Sequence, residues 1–308
     1  MSGDYDYGNA RIAARRGRLL TSETLDRLAE SGSAAAAAAQ LERIPAWERA
    51  LDTARQSAGD AAGSLALAIE HHRAAELGAL PRWYHGTARR LVEALVLGLD
   101  LERVAAVLRR RRAGQSPEEV NATIVSGVFL DGMALAELAR QPSLAAAVGV
   151  LRGHGLLDWP EAHELIRLVA GQEHDSLSPV GPFEPARFEA ALSAAWTRAR
   201  ERRAVGSGDD ARMVRRVIAA EAAEREAVRR ELADAGAAGA ALVERSLALA
   251  RDAGLAGRAR RDPAGVMPAA AYVAAIAAQA VRLRVVVNRV AAGWSRPVAA
   301  GYLNAGVG

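Results

Sequence analysis

The chain has 308 residues, is 51% hydrophobic but only 4% aromatic, and carries a formal net charge of +4. It contains no cysteine, and all 40 of its basic residues are arginine. These absences exclude disulfides, thiol nucleophiles, cysteine metal sites, the P-loop nucleotide site that needs a lysine, and chemistry through a lysine Schiff base.

Alanine dominates the composition, and alanine is the residue with the highest helix propensity. Runs rich in valine, isoleucine, threonine and aromatic residues, which are typical of strands, are almost absent. The chain is therefore predicted to be all-α, with short connections between its helices. Met1–Tyr7 has neither a basic lead nor an apolar core, so we expect no signal peptide there.

The first third of the chain is predicted to form several short helices. A basic helix ends near Leu20. Ala34–Ala39 is a low-complexity run whose composition fits either a helix or a spacer. Pro45 begins a further helix, because proline suits the first helical turn, and Trp47 and Leu51 lie on one face of that helix.

Two dipeptides, His71-His72 and His163-Glu164, are the only hints of a metal site. His71 and His72 are adjacent on a predicted helix, so their side chains point to different sides and chelate a metal poorly. His163-Glu164 resembles the start of a zinc-protease helix, but Arg167 stands where the second histidine is needed. We therefore expect surface histidines and no metal ligands.

The stretch Leu91–Val120 is predicted to form two consecutive helices joined by a tight turn. A slight break falls at Gly98, beside Asp100. Arg109–Arg112 lie in the last turn of the first helix, where positive charges interact favourably with the negative end of the helix dipole. Gly114 ends that helix, and Ser116 with Glu119 forms a capping box for the next one, which has Pro117 at its first position.

The second half of the chain is predicted to alternate between connections and helices. Gly171–Glu184 is a connection rich in glycine and proline. Met213–Ala235 and Leu242–Ala253 are predicted helices, followed by a basic turn over Arg258–Gly265 and a final helix over Ala269–Ala292.

The longest apolar run of the chain is Val266–Val281. It is interrupted by Pro268 and Gln279 and is shorter than a transmembrane span. We therefore expect a soluble, cytoplasmic protein.

The charge clusters have several interpretations. Arg109–Arg112 could complement a helix C-terminus, pair with an acidic partner or contact nucleic acid phosphates, although no aromatic residues lie among these arginines for base stacking. The face over Glu221–Arg230 is most simply a solvated helix with ion pairs three and four residues apart.

No set of residues offers a nucleophile with a base and an orienting third group, because the serine, histidine and aspartate residues are scattered. We expect no catalytic residue, no bound cofactor and no metal. The chain is therefore predicted not to be an enzyme by itself.

Three segments of the chain form an ordered pattern that is typical of one family. Tyr7–Leu20 reads as a tyrosine, then Asn-Ala-Arg, then a basic helix that ends in Leu-Leu. Asp100–Val120 begins with an aspartate, which is followed in order by Leu-Arg, a glycine and the acidic first turn of a helix. Tyr272–Arg284 places a tyrosine before a basic segment of the last helix. Together these segments resemble the C subunit of the V-type (A/V-type) ATPase, which is the counterpart of the d subunit of the eukaryotic V-ATPase.

The chain departs from the pattern of that family at several positions. Arg103 and Glu224 stand where the family usually has asparagine. The acidic residues of the family's last helix are replaced by Ala274, Ala275, Ala277 and Gln279. These differences put the corresponding polar contacts in question and indicate a diverged member.

The resemblance implies a funnel-like arrangement of three quasi-repeated helical lobes. Glu221–Leu232 has weak sequence similarity to the Asp100 segment, which is consistent with such repeats. The lobes are predicted to cover roughly residues 1–85, 86–185 and 186–308 of a single unit.

The resemblance also implies a function. Such a protein is a non-catalytic part of the central stalk of an ion-translocating ATPase. It couples the rotating shaft, made of the D and F subunits, to the membrane proteolipid ring, lies on the cytoplasmic face, and touches the membrane only through the ring. We expect no nucleic acid partner. The residues predicted to contact partners are Arg109, Arg110, Arg111, Arg112, Arg258, Arg260 and Arg261.

Two other classes of function remain open from the residues alone. The chain could be a free-standing helical scaffold or a nucleic-acid-binding regulator that uses its arginine clusters. An enzyme is the third class, and it would need a cofactor that no motif of the sequence indicates.

Overall fold

The computed structural model describes residues 3–170 and 185–292, and all regular structure in those two ranges is helical. The prediction of an all-α fold is thereby confirmed. The predicted connection Gly171–Glu184 lies outside the described residues. The described helices are α1 (Gly3–Arg16), α2 (Ser22–Ala29), α3 (Ala34–Glu42), α4 (Pro45–Arg55), α5 (Ala61–Ala79), a 3₁₀ turn (Leu80–Trp83), α6 (Gly86–Val96), α7 (Gly98–Arg112), α8 (Pro117–Asn121), α9 (Gly132–Arg140), α10 (Leu144–Gly153), α11 (Trp159–Ala170), α12 (Pro185–Arg203), α13 (Asp209–Arg261) and α14 (Met267–Ala292).

The chain divides into two compact units. Unit 1 consists of Met1–Val92 together with Ala223–Gly308, and unit 2 consists of Glu93–Ala222. The chain passes from unit 1 to unit 2 inside α6 and returns inside α13. The division into three lobes with a funnel-like arrangement stays a prediction.

In unit 1, α2 to α5 share a core with the last helix of the chain. Trp47, Leu51 and Ile69 are fully buried beside Leu283 and Val286 of α14. Ala34–Ala39 belongs to α3 and is not a spacer, because the Ser33 side chain accepts a hydrogen bond from the Ala36 N–H and so caps the helix.

The α14 helix combines length with a largely apolar sequence. Over Met267–Ala291 it is long and apolar enough to cross a membrane, so the expectation that this region is too short was wrong. Pro268 lies in the first turn of α14, where proline does not interrupt a helix, and Gln279 is accommodated by a hydrogen bond. Because 83% of the apolar window is buried inside the protein, α14 has the burial of a core helix.

His72 of α5 is buried, contrary to the expectation of a surface histidine. Its ring stacks on Trp47 at 4.0 Å between centroids, and its Nδ1–H donates to the Ala46 carbonyl oxygen at 3.1 Å. Burial lowers the pKa of His72, so the neutral ring is favoured. This histidine joins α4 to α5.

One continuous helix, α13, replaces the two helices predicted over Met213–Ala235 and Leu242–Ala253, and it extends into the predicted basic turn, of which only residues 262–265 lie outside the helix. Gly236 and Gly239 do not end it. The alanine-rich segment around them favours a helix strongly enough to offset a cost of about 1 kcal/mol per glycine. Arg258, Arg260 and Arg261 therefore lie in the last turn of a helix.

The core of unit 2 is formed by α7 and α9 to α12. Val104, Leu135, Leu151 and Trp196 are buried in it. The predicted end of α7 and the predicted start of α8 are confirmed. Gly114, after α7, has a φ of 86°, and Ser116 with Glu119 forms both hydrogen bonds of the capping box that begins α8.

Candidate functional site

The break between α6 and α7 is held by two side chains of α12. Where α6 ends, the carbonyl groups of its last residues lose their partners in the helix. Arg200 Nε donates to the Ala94 carbonyl oxygen at 2.8 Å, and Arg200 Nη2 donates to that of Leu95 at 2.9 Å. Trp196 Nε1 donates to the Leu97 carbonyl oxygen at 3.0 Å. The predicted break near Gly98 is thus a buried and hydrogen-bonded joint.

The same arginine also contacts α13. Arg200 Nη1 lies 2.7 Å from Glu221 Oε2, and the Arg200 side chain is fully buried. A Cβ atom at Gly98 would come within 3.3 Å of the Arg200 guanidinium, so glycine leaves room for it. Glu221 is buried, and its assignment to a solvated face was wrong because an acid paired in this way is removed from water. Arg200 therefore connects α6, α12 and α13 within unit 2.

Asp100, the aspartate of the second family-like segment, holds the loop that precedes α9. Its Oδ1 accepts hydrogen bonds from the backbone N–H groups of Val128, Phe129 and Leu130 at 3.0, 3.0 and 2.9 Å. Gly127 must be a glycine, because a Cβ there would overlap the carboxylate. Asp100 is fully buried, and burial raises its pKa although these N–H groups act in the opposite direction.

The predicted contact residues Arg109–Arg112 form the last turn of α7. Arg109 is exposed and lies 3.3 Å from Glu189 of α12. Arg110 donates to the hydroxyl of Thr123, and Arg111 donates to the Gln115 carbonyl oxygen at 2.6 Å. Arg112 is partly buried, which lowers its pKa. Local contacts thus engage Arg109, Arg110 and Arg111, as expected where arginines complement a helix C-terminus.

The other predicted contact residues, Arg258, Arg260 and Arg261, are all exposed at the end of α13. They lie in unit 1, whereas Arg109–Arg112 lie in unit 2.

Asn9 of the first family-like segment binds the turn after α13. Its Nδ2 donates to the carbonyl oxygens of Pro263 and Gly265 at 2.9 and 3.1 Å. The Tyr84 hydroxyl donates to Asn9 Oδ1 at 2.9 Å, and Gly8 allows the Tyr84 ring to approach α1 closely. Asn9 thereby fixes α1 to two distant parts of unit 1.

The third family-like segment also makes defined contacts within unit 1. The Tyr272 hydroxyl donates to Glu76 Oε2 at 2.5 Å, and Arg15 Nη1 lies 2.6 Å from Glu76 Oε1. Gln279, one of the positions at which the chain was expected to depart from the family, accepts a hydrogen bond from the Leu20 backbone N–H at 2.8 Å. These contacts join α1, α5 and α14.

The sequence places Trp196 on the apolar face of an amphipathic helix over Phe188–Arg203, but the hydrogen bonds of Trp196 and Arg200 to the end of α6 were not predicted. The only signal was that these two residues lie four residues apart, on one face of an amphipathic helix, where an arginine on the buried side is unusual. Within the described ranges, no group of three or more histidine, aspartate or glutamate side chains could hold a metal. The polar residues described above thus connect helices that are distant in sequence.

The comparisons with known proteins give one family. No curated protein matches the chain. A family model described as ATP synthase (C/AC39) subunit matches residues 8–223, a range that includes Asn9, Asp100, Arg200 and Glu221. The chain therefore belongs to the ATP synthase (C/AC39) subunit family, which comprises the C subunit of the A/V-type ATPase and its eukaryotic counterpart, the d subunit.

Proposed function

We propose that this chain is a non-catalytic central-stalk component of a V-type ion-translocating ATPase, where it couples the rotating shaft to the membrane proteolipid ring. The observation that carries the proposal is the family match over residues 8–223 of 308. The partners on this proposal are the D and F subunits of the shaft and the proteolipid ring.

The polar contacts inside each unit support a mechanical role. A protein that transmits torque must keep its helices in a fixed arrangement under load. Arg200 in unit 2, and Asn9 and Glu76 in unit 1, each connect elements far apart in sequence. Because breaking a buried ionic contact is costly, such joints resist sliding of one helix past another.

The exposed arginines are proposed as partner contacts. In unit 1, Arg258, Arg260 and Arg261 are exposed at the end of α13 and suit an acidic surface on a partner. In unit 2, Arg109 and Arg112 are better placed for such a contact than Arg110 and Arg111, which bind Thr123 and the Gln115 carbonyl. Arginine is enriched at protein interfaces.

The proposed location is the cytoplasmic face of the membrane, with the chain held there by the ring. The burial of α14 supports a peripheral position, since its apolar surface already packs inside the protein. We expect the isolated chain to be soluble without detergent.

Affinity purification of the tagged chain from its own membranes in mild detergent tests this proposal. We expect the catalytic A and B subunits, the D and F subunits of the shaft and the proteolipid to be recovered with it in fixed ratios. Recovery of soluble proteins alone would contradict the proposal. Recovery of nucleic acid in a salt-sensitive manner would instead favour the regulator class.

A further inference from the structure

Four of the six large hydrophobic side chains that are exposed among the described residues lie in unit 2. They are Phe129, Met133, Trp159 and Val205, which are 37%, 79%, 58% and 43% exposed. They come from three separate segments of the chain: the loop and first turn of α9, the start of α11, and the residues after α12.

Contacts between these segments place all three at one end of unit 2. The Arg203 guanidinium lies 5.8 Å from the Phe129 ring centroid, and Arg203 Nη2 donates to the Gly155 carbonyl oxygen at 2.6 Å. Arg202 Nε lies 2.8 Å from Asp158 Oδ2, directly before Trp159. The C-terminus of α12 therefore meets both the loop before α9 and the loop before α11. We call Phe129, Met133, Trp159 and Val205 the aromatic end.

Each exposed aromatic ring of the aromatic end is paired with a cation. Arg203 lies against Phe129, and the exposed Arg152 lies 4.8 Å from the Trp159 ring centroid. Because Arg203 is held by Gly155, the pair of Trp159 and Arg152 is the one that presents an apolar surface beside an exposed positive charge, and it suits an apolar group with a carboxylate next to it. Exposed apolar residues grouped in this way mark interaction sites, and tryptophan, phenylalanine, methionine and arginine are enriched there.

We propose that the aromatic end is a docking surface for another component of the ATPase, and that the docked segment is apolar and carries a carboxylate that pairs with the exposed Arg152. This proposal rests on the proposed function and adds a surface that contains none of the arginines predicted from the sequence. Trp159 and Met133 are the anchors, because they have the most exposed area to bury.

Co-expression of the full-length chain with the other ATPase subunits of the same organism tests the proposal. The Met133→Ser/Trp159→Ser variant is compared with Leu232→Ser, which removes a comparably exposed side chain from α13 in unit 1. We expect the double variant to be incorporated into the purified complex about tenfold less than wild type, and the control to be incorporated normally. Equal thermal unfolding of the isolated proteins shows that both variants fold.

The outcomes separate the two proposals. If the wild-type chain does not enter the complex, the proposed function fails and this proposal fails with it. If wild type enters and Met133→Ser/Trp159→Ser enters equally well, only the aromatic-end proposal is overturned.

A second variant identifies the docked segment even if the double variant unfolds. In Met133→p-benzoylphenylalanine, a photoreactive ring replaces the most exposed side chain of the aromatic end. Irradiation of the assembled complex should link it to another ATPase component, at a peptide with an aspartate or glutamate within one helical turn of the linked residue. A link to a segment without a carboxylate, or no link to any ATPase component, would overturn the proposal.

Discussion

Arg200 connects three helices of unit 2 through one side chain. It is fully buried, it donates to two carbonyl groups at the end of α6, and it pairs with Glu221 of α13. A buried charge is tolerated only when it is both paired and hydrogen-bonded, so the contribution of each partner depends on the other.

Replacement of Arg200 by methionine should be strongly destabilising. We expect Arg200→Met to lower the unfolding free energy by about 3–5 kcal/mol, because Glu221 then keeps a buried charge without its cation. Urea denaturation measures this loss. Arg198→Met is the matched control, since the Arg198 side chain is 43% exposed and pairs with Glu164, and it should cost about 1 kcal/mol or less.

Combining Arg200→Met with Glu221→Met should recover part of the loss, because the buried carboxylate that has lost the Arg200 charge is then removed as well. The proposal that the buried pair stabilises the break between α6 and α7 would be contradicted if Arg200→Met were no more destabilising than Arg198→Met. It would also be contradicted if the effects of Arg200→Met and Glu221→Met were simply additive.

The pKa of Asp100 predicts a pH dependence of stability. Burial raises the pKa of this carboxyl, so the folded state binds the proton more tightly than the unfolded state. The contribution of Asp100 to stability is therefore greatest below the unfolded-state pKa, about 4, and decreases as the pH rises through the folded-state pKa. The Asp100→Asn variant lacks this titration.

Denaturation of wild type and Asp100→Asn over a pH series measures this effect. The unfolding free energy of the variant relative to wild type should increase from about pH 4 to about pH 7. A decrease over the same range would mean that the three backbone N–H groups outweigh desolvation. Asp100→Ala is the comparison for lost hydrogen bonds, and it should be less stable than Asp100→Asn at every pH.

At the scale of elements, α1 is fixed by close approach as well as by hydrogen bonds. Gly8 faces the Tyr84 ring, whose hydroxyl reaches Asn9 on the same helix. A side chain at position 8 would push the ring away and lengthen the contacts of Asn9 with Pro263 and Gly265.

We expect Gly8→Ala to destabilise unit 1 by about 2 kcal/mol through overpacking. Gly78→Ala in α5 is the matched control, because a Cβ there meets nothing within 4 Å. It should be neutral or stabilising by up to about 1 kcal/mol, since alanine favours a helix. Thermal unfolding of both variants measures the difference, and an unaffected Gly8→Ala would show that α1 is not closely packed on Tyr84.

At the scale of the whole molecule, the core of unit 1 is built from both ends of the chain. Its core combines α2 to α5 with α14, although more than half of the chain lies between them. Leu283 and Val286 are buried against residues such as Trp47 and Leu51. The N-terminal helices therefore cannot complete their core without α14.

Truncation after Ala222 should unfold the N-terminal part of unit 1. Without α14, the apolar faces of α2 to α5 become exposed, and we expect lower helicity per residue and binding of a hydrophobic dye. Circular dichroism and dye fluorescence measure this. A chain that ends at Ala292 keeps every described helix and is the comparison for this truncation. A truncated chain that melts like the full chain would contradict this dependence.

Local sequence determined the helices and many of their ends. Helix propensity and capping act over a few residues, so the alanine content, the capping box of Ser116 and Glu119, and the turn at Gly114 could be read directly. The ordered segments beginning at Tyr7 and Asp100 were also sufficient to indicate the family that the match over residues 8–223 shows.

Tertiary structure alone decided what the polar residues do. Arg200 and Leu95 are 105 residues apart, and Asn9 and Pro263 are 254 residues apart, so no local pattern pairs them. His72 and Glu221 look like surface residues because their own segments are helical and polar, and only neighbouring helices bury them. A capping hydrogen bond depends on neighbours in sequence, whereas the burial and pairing of a charge depend on which distant helices pack around it.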